Sequence, residues 1–579
     1  MLTPQQAFDE LVADGDVLLD VFDRHAAATP GKTCVIYGET GLSLTFAEVR
    51  QRTNALALGL SQAGIGAGDH VSILTRNAFT SFLTVLAVWR LGAVYAPVNF
   101  NLRGPLLAYQ LRDTAPKLLI TDPSFDATLG EILADMPPCA LVLAPERFGA
   151  TDARAEIATQ YRSHTVALFT DLLNSAGAPP SAPLGPFDTA SIVYTSGTTG
   201  PSKGVVLPHR WINQYTFLLR KLMNADDIVY CDLPLYHVGG VYALVGRALY
   251  RGATIALYDR FSPTQFWTRI ADTQSTVAIL LDVMVPWLMS AEPSSRDREN
   301  TLTQVHMQPL PPTHHAVAQR FGIDWVTAGF GQTESGMGFS SAIDQFWGGE
   351  AKTGSRRGMS KDTVRSEFER IGIPIFDGAQ ALPKGFMGVP SPFLDVTLLD
   401  EDDAPVAEGA IGQLAFRPRF PGLLLKEYLR KPEATLKACR NLWFHTGDAC
   451  RAIGEGRYVF VDRMGGYFRV RGENVSSFEV ESLMASHPKV RAVAAVPIPA
   501  RVGSEDEIAA FVEPMTGETV SEAELRDHAV RQMPKYMVPS FIRIVEALPV
   551  TPTSKVEKYK LKQALLTEFA AASGGTVSA

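Results

Sequence analysis

The sequence predicts an α/β protein with a large N-terminal domain, residues 1–463, and a small α+β C-terminal domain, residues 464–579. Residues 45–121 alternate helical and strand patterns, and such alternation implies crossovers within a mixed or mostly parallel sheet that is flanked by helices. Beyond Arg463 the pattern changes to strand-like runs at 490–498 and 507–513, a helix near 522–533 and a strand at 541–546. This change indicates a second, separate domain.

Local signals place the first elements of the N-terminal domain. Thr45 and Glu48 form a capping-box pattern, which predicts a helix that runs to about Gln62. The next patterns predict, in order, a strand at 70–74, a helix near 77–91, a strand at 93–98, a helix near 103–114 and a strand at 117–121. In the C-terminal domain, Ser521 and Glu524 cap the predicted helix in the same way.

Residues 340–385 interrupt this regular pattern. They are charged, contain several glycines, and carry Val364, Phe368 and Ile371 at helical spacing. We expect them to form a surface insertion that contains one amphipathic helix.

Composition limits the classes of function. The 579 residues are 46% hydrophobic and 20% charged, which is typical of a globular protein. The net charge of −8 argues against a nucleic-acid partner. Five scattered cysteines without a C-x-x-C pair exclude a disulfide scaffold and suit the reducing cytosol. No signal peptide or membrane-spanning run is apparent, so we expect a cytoplasmic protein without integral membrane association.

A loop rich in hydroxyls and glycines carries most of the chemical information. A β-prone run ending at Tyr194 leads into it, and backbone N–H groups, hydroxyls and one ammonium suit the oxygens of a polyphosphate. The residues that we expect to bind phosphate are Thr195, Ser196, Gly197, Thr198, Thr199, Gly200 and Lys203. No glycine directly precedes Lys203, so the segment does not match the G-x-x-x-x-G-K-[ST] loop of P-loop kinases and ATPases.

This loop and five further motifs, in order along the chain, resemble the adenylate-forming superfamily, which includes the acyl- and aryl-CoA synthetases. The further motifs begin at Phe330 (FGQTES), Trp443 (WFHTGD), Asp462 (DR, then RGENV from Arg471), Met533 (MPKYMVP) and Leu548 (LPVTPTSK). The resemblance covers nearly the whole chain and implies an acyl-CoA synthetase-like fold with a mobile C-terminal domain. It also implies that a carboxylate and ATP give acyl-AMP and pyrophosphate, after which CoA takes the acyl group and AMP leaves.

The resemblance assigns roles in the nucleotide site residue by residue. Glu334, together with Thr195, would bind Mg²⁺, a hard cation that prefers oxygen ligands. Thr333 would contact the α-phosphate, and Phe330 would stack on adenine within the segment that continues through Gly331 and Gln332. Asp448 and Arg463 would hold the ribose. Together, Lys555, Thr333 and Glu334 would form the catalytic set.

In the C-terminal domain the resemblance makes Lys555 the residue that neutralises charge between the carboxylate and the α-phosphate. Here Ser554 precedes this lysine, where the family usually has glycine. Gly465 would be the hinge, and it stands where the family commonly carries aspartate or lysine. Arg471, Gly472 and Glu473 would contact CoA once the domain has rotated.

The acyl pocket is expected at LPLYHVGG, which is similar to the PLxHxxG segment of acyl- and aryl-CoA ligases. The residues expected to line this pocket are His237, Val241, Leu281, Asp282, Gly329 and Gly331. Asp282 is either an exposed strand end or a carboxylate that discriminates against, or pairs with, a polar or cationic acyl group. The segment from Tyr258 and the RGENVSSFEVE run most resemble the carnitine/crotonobetaine-CoA ligase branch, but a fatty, aryl or other small acid fits equally well.

Several alternatives remain open from the sequence. The acceptor could be a free-standing carrier protein instead of CoA, and the chain could be a nucleotide-binding relative without catalysis. The expected partners are a small carboxylic acid, ATP and CoA, with a homodimer as a possible assembly.

Overall fold

The computed structural model describes the chain except for residues 147, 149–165, 196–201, 350–356, 384, 465–466, 472, 501–504, 550–555 and 573–579. The chain divides into two compact units. The first comprises Met1–Phe100, Gln110–Tyr194 and Gly204–Asp462, and the second comprises Asn101–Tyr109, Thr195–Lys203 and Arg463–Ala579. The predicted phosphate loop at 196–201, together with Gly465, Gly472 and Lys555, lies outside the described residues. The predicted domain boundary at 463 stays a prediction.

The larger sheet is mixed, with both parallel and antiparallel pairs of strands. Its strand order is β18-β19-β21-β22-β17-β15-β14-β13-β12-β10-β11-β1-β2, and β16 pairs with β15. Their bounds are β1 Thr33–Tyr37, β2 Leu42–Thr45, β10 Ile228–Cys231, β11 Thr254–Leu257, β12 Val277–Leu280, β13 Gln304–Met307, β14 Trp325–Gln332, β15 Gly336–Asp344, β16 Ile375–Asp377, β17 Phe386–Pro390, β18 Leu394–Leu399, β19 Ile411–Pro418, β21 Phe444–Ala452 and β22 Tyr458–Arg463.

A second sheet contains the βα alternation that the sequence predicted. Its order is β20-β9-β8-β4-β3-β5-β6-β7. Its strands are β3 His70–Leu74, β4 Val94–Pro97, β5 Leu118–Thr121, β6 Ala140–Leu143, β7 Val166–Leu168, β8 Thr189–Thr195, β9 Lys203–Pro208 and β20 Glu427–Tyr428. The β3, β4 and β5 strands pair in parallel, which confirms the predicted crossovers.

Helices cover these sheets. Their bounds are α1 Pro4–Asp14, α2 Leu18–Ala28, α3 Phe46–Gln62, α4 Ala78–Arg90, α5 Gly104–Thr114, α6 Asp126–Gly130, α7 Phe169–Leu173, α8 His209–Lys221, α9 Arg247–Arg251, α10 Phe266–Thr273, α11 Met284–Met289, α12 His314–Phe321, α13 Lys361–Ile371 and α14 Pro432–Ala438. Both hydrogen bonds of the predicted capping box between Thr45 and Glu48 are present at the start of α3. Within the described residues, no helix has the length and apolar character that crossing a bilayer requires.

The predicted surface insertion at 340–385 is packed more deeply than expected. Helix α13 buries Val364, Phe368 and Ile371, the three residues that predicted it. Asp344, at the end of β15, is fully buried and pairs with Lys361 at 2.6 Å and with Arg365. The helix is therefore anchored to the sheet through its apolar face and these ion pairs, while its polar face stays exposed at Asp362 and Glu369, as expected of an amphipathic helix at the surface. That the segment is inserted relative to other members stays a prediction.

The C-terminal part of the second unit is an α+β arrangement, as predicted. Strands β25 Val490–Pro499 and β26 Asp506–Pro514 are antiparallel, and β27 Phe541–Ile544 joins β26 in parallel. A separate hairpin of β23 Tyr467–Val470 and β24 Glu473–Ser476 precedes them, and the helices are α15 Ser477–Ala485, α16 Glu522–Gln532 and α17 Lys558–Ala572. The Ser521 hydroxyl accepts the Glu524 N–H at 3.1 Å, as its capping pattern predicted.

Candidate adenylation site

A buried polar junction joins two of the predicted motifs within the first unit. The Gln332 amide at the end of β14 donates one hydrogen bond to Asp448 Oδ2 at 2.5 Å and another to the Thr446 carbonyl at 3.0 Å. Asp448 is fully buried on β21, and its N–H donates to Thr446 Oγ1 at 3.1 Å. Thr446 Oγ1 in turn donates to the Leu414 carbonyl at 2.8 Å. The carboxylate expected to bind ribose is thus fixed by residues from three strands.

The predicted metal ligand is held by a contact that the sequence did not reveal. The Tyr428 hydroxyl donates to Glu334 Oε1 at 3.0 Å, and the Glu334 carbonyl accepts the Leu425 N–H at 2.8 Å. Tyr428 lies on β20, opposite Val205 of β9. Neither hydrophobic periodicity nor local spacing indicates this contact, because the two residues lie 94 positions apart in the sequence. Thr333, between Gln332 and Glu334, is half-buried.

Close backbone packing explains Gly329, which lies within β14. Gly329 pairs with Ser340 across the antiparallel β14–β15 ladder. A Cβ atom on Gly329 would lie 2.2 Å from the Phe339 carbonyl oxygen, so any side chain there would collide with the neighbouring strand. Phe330 is buried, with its ring 6.2 Å from the ring of Phe339. The expected stacking of Phe330 on adenine stays a prediction, as does the pocket role of Gly331.

Parallel strands bring the expected acyl-pocket segments to one edge of the larger sheet. β10 and β12 pair in parallel, so the chain leaving each strand emerges at the same edge. His237 follows β10 and is half-buried, with its ring 4.6 Å from that of Tyr236. Val241 is buried in a π-helix at Gly239–Gly246 that the sequence did not predict. Leu281 follows β12 and is half-buried.

Asp282 is 4% exposed, directly beyond β12. Its interpretation as an exposed strand end is therefore wrong, because the side chain is covered by protein. The alternative, a carboxylate that faces the acyl group, stays a prediction.

The second unit contains the remaining described candidates. Thr195 ends β8 and Lys203 begins β9, so they border the predicted phosphate loop, and both are half-buried. Arg471 is exposed in the turn of the β23–β24 hairpin and has a φ of 52°, while Glu473 begins β24. The side chain of Arg463 lies outside the described residues.

Comparison with known proteins identifies the class. Residues 22–429 match the family described as AMP-binding enzyme, and residues 479–555 match the AMP-binding enzyme C-terminal domain. The first match spans more than half of the chain, so the chain belongs to the AMP-binding enzyme family. The prediction of an AMP-forming, adenylate-making ligase is confirmed.

Relatives and solved structures are similar to this chain over nearly its whole length. The chain is 28% identical to the crotonobetaine/carnitine–CoA ligase of Salmonella paratyphi B, over 95% of this chain and all of the relative. The structure of o-succinylbenzoate CoA synthetase from Bacillus subtilis is similar with a TM-score of 0.73 and 21% identity, covering 94% of this chain and 97% of that one. An anthranilate CoA ligase in complex with anthranoyl-AMP gives a TM-score of 0.61 and 21% identity, covering 95% and 98%. These likenesses confirm the predicted fold.

Proposed function

We propose that the protein is an ATP-dependent acid–CoA ligase that acts on a small carboxylic acid with a cationic group. The observation that carries the ligase assignment is the convergence of distant motif residues in the first unit. Gln332 contacts Asp448, and the resemblance assigns both to nucleotide binding. Tyr428, which lies outside the motifs, contacts the expected metal ligand Glu334. The CoA ligase names of the relatives support CoA as the acceptor.

In the first half-reaction the acid carboxylate attacks the α-phosphorus of ATP, and the bond to the β-phosphate breaks to release pyrophosphate. Asp448 accepts hydrogen bonds from the ribose hydroxyls, while the Gln332 amide fixes its Oδ2. Thr333 orients the α-phosphate, and Lys555 offsets the charge that develops where the two anions meet. The residues of the phosphate loop, from Thr195 to Lys203, hold the leaving pyrophosphate.

Mg²⁺ fits the chemistry of the Glu334 position. This ion commonly binds through one or two carboxylates together with phosphate oxygens, so a dedicated cage of protein ligands is not required. Glu334 offers a carboxylate that the Tyr428 hydroxyl orients at Oε1. When bound, the ion would neutralise phosphate charge.

In the second half-reaction the CoA thiolate attacks the acyl carbon, and the acyl–phosphate bond breaks to release AMP. We assign Arg471, Gly472 and Glu473, at the β23–β24 turn, to this step. An exposed guanidinium at a hairpin turn is suited to phosphate groups of CoA. The hinge at Gly465 would let the C-terminal domain present Lys555 first and this turn second.

Asp282 supports a cationic acid as the substrate. A buried carboxylate beside the expected acyl pocket would favour a cationic acyl group through charge complementarity. The relatives named crotonobetaine/carnitine–CoA ligases point to the same chemistry.

Two matched acids test this assignment. Crotonobetaine carries a trimethylammonium group, and 5,5-dimethylhex-2-enoate is its neutral isostere. We expect Asp282→Asn to raise the KM for crotonobetaine on the order of 10-fold or more, because it removes the charge pair, while the constants for the isostere stay unchanged. The readout is acyl-CoA and AMP formation with ATP and CoA present. Equal losses for both acids would contradict the cationic substrate, and absence of AMP with every acid would contradict the ligase itself.

A further inference from the structure

Tyr428 approaches Glu334 from a short strand that is held firmly within the first unit. Its side chain is 5% exposed, and its hydroxyl donates to Glu334 Oε1 at 3.0 Å. The Tyr428 N–H donates to Thr435 Oγ1, on α14, at 3.0 Å. The next residue, Leu429, donates its N–H to the Gly204 carbonyl at 2.8 Å. Burial and these hydrogen bonds together fix the position of the phenol.

A charged pair anchors the chain that follows Tyr428. Lys431 Nζ donates to both carboxylate oxygens of Asp113 at 2.7 Å, and Asp113 Oδ2 also accepts the Tyr194 hydroxyl at 2.8 Å. The side chains of Lys431 and Asp113 are 24% and 14% exposed, so solvent screens this pair only in part. The Lys431 N–H donates to the Tyr428 carbonyl at 3.0 Å. The pair therefore limits how far Tyr428 can be displaced.

The same segment also holds the main chain of Glu334. The Leu425 N–H donates to the Glu334 carbonyl at 2.8 Å, three residues before the tyrosine whose hydroxyl reaches the carboxylate. Residues 425–431 thus contact the expected metal ligand at two points, one on its backbone and one on its side chain. Both contacts lie within the first unit and connect residues that are far apart in the sequence.

A hydrogen bond to a metal ligand affects how strongly the cation is bound. A carboxylate has about four lone-pair sites on its two oxygens, so one bond to Oε1 leaves acceptor capacity for a cation. Without the phenol the carboxylate would rotate more freely, and cation binding would have to restrict that rotation. Loss of such an orienting partner typically lowers metal affinity about 10- to 100-fold.

We propose that Tyr428 is a positioning residue for the expected Mg²⁺ site and that it sets the affinity for the cation through Glu334. The Asp113–Lys431 pair supports this role, because it holds the chain that follows Tyr428. The inference rests on the proposed ligase function, in which Glu334 binds Mg²⁺ beside ATP. It adds a determinant of cation affinity that lies outside the six motifs.

Calorimetry of ATP binding to the full chain, with Mg²⁺ and separately with the chelator EDTA, tests this role. No acid is added, so no adenylate forms. We expect Tyr428→Phe, which removes only the hydroxyl, to weaken the binding of ATP·Mg²⁺ about 10-fold, because Glu334 is no longer held in position. The binding of metal-free ATP should stay unchanged, because the hydroxyl acts through the ligand of the cation. General loosening of the protein would weaken both.

Tyr37→Phe provides a matched control. It also removes a buried phenol that donates to a carboxylate of the first unit, Asp259 Oδ2 at 2.9 Å, and both ATP affinities should stay at their wild-type values. As a second readout, the Mg²⁺ concentration that half-saturates pyrophosphate exchange should rise about 10-fold in Tyr428→Phe, while the rate at saturating Mg²⁺ returns to within a few-fold of wild type.

The outcomes separate this inference from the proposed function. Unchanged affinity for ATP·Mg²⁺ in Tyr428→Phe, or equal losses with Mg²⁺ and with EDTA, would overturn the inference while the ligase function stands. Wild-type protein that binds no ATP under either condition would overturn both.

Discussion

At the scale of single residues, Asp232 shows how burial creates a pH response. It is 3% exposed just beyond β10, and burial raises the pKa of its carboxyl to about 7 from an ordinary value of 3.8. The folded protein therefore keeps a proton that the unfolded chain releases between these two values. Stability contributed by this proton is fully present below pH 3.8 and is lost as the pH rises toward 7.

Replacing this carboxyl should flatten that response. One proton held only in the folded state makes the free energy of unfolding fall by about 1.4 kcal/mol per pH unit within the window. Asp232→Asn removes the titration, so we expect a smaller drop in the thermal midpoint between pH 5 and pH 7 than in the wild type. Asp226→Asn, at an exposed position six residues earlier, should keep the wild-type slope. An unchanged slope in Asp232→Asn would show that its carboxyl does not carry the proton.

Residues that act through local spacing were predictable, and residues that act through strand register were not. The Thr45–Glu48 box depends on two residues three positions apart, so the sequence alone locates the start of α3. The Tyr428–Glu334 contact joins residues 94 positions apart, and Tyr428 lies on a strand that pairs with β9. No pattern in the sequence indicates that contact.

At the scale of elements, α13 is held in place by a buried ion pair. Lys361 and Arg365 both reach Asp344, and Lys361 also donates to the Phe346 carbonyl at 2.7 Å. The amphipathic pattern of the helix was visible in the sequence. Its ion pair with Asp344 was not, because the partner carboxylate ends a strand 17 residues earlier and the intervening charges and glycines suggest a surface loop.

Removing one partner of that pair should destabilise the first unit. Lys361→Met leaves Asp344 buried with Arg365 as its remaining cation, and breaking a buried pair of this kind costs about 2–4 kcal/mol. We expect a clear fall in the urea midpoint, with Lys361→Arg recovering much of it. Glu369→Gln, at an exposed position of the same helix, serves as the control. A Lys361→Met midpoint equal to that of the control would mean that α13 is held by its apolar face alone.

The π-helix at Gly239–Gly246 illustrates a different limit of prediction. Its run of apolar residues indicates burial, but it does not distinguish this wider helix from an α-helix or a buried strand. Val241 is buried within this helix, and its expected role in the acyl pocket stays a prediction. The PLxHxxG resemblance therefore located the segment without giving its conformation.

At the scale of the whole molecule, the order of the motifs along the chain predicted the family. The side-chain contacts of the candidate site became apparent only from the fold. Six motifs along one chain indicated an adenylate-forming enzyme before any contact was known, and the family match confirms this class. The Gln332–Asp448 bond and the burial of Asp282 required strand order, because each depends on which strands are neighbours. The identity of the acid depends on such contacts, and for this reason it could not be settled by the motifs.

The separate half-reactions test the central claim, which is that this chain makes an acyl-adenylate with the help of Lys555. Exchange of labelled pyrophosphate into ATP, measured with a panel of acids and without CoA, reports the first half-reaction alone. We expect exchange that depends on the acid. In Lys555→Ala this exchange should fall on the order of 100-fold, while acyl transfer from a supplied acyl-adenylate to CoA stays within a few-fold of wild type. Wild-type protein that shows no exchange with any acid, or undiminished exchange in Lys555→Ala, would contradict the claim that this chain makes an acyl-adenylate with the help of Lys555.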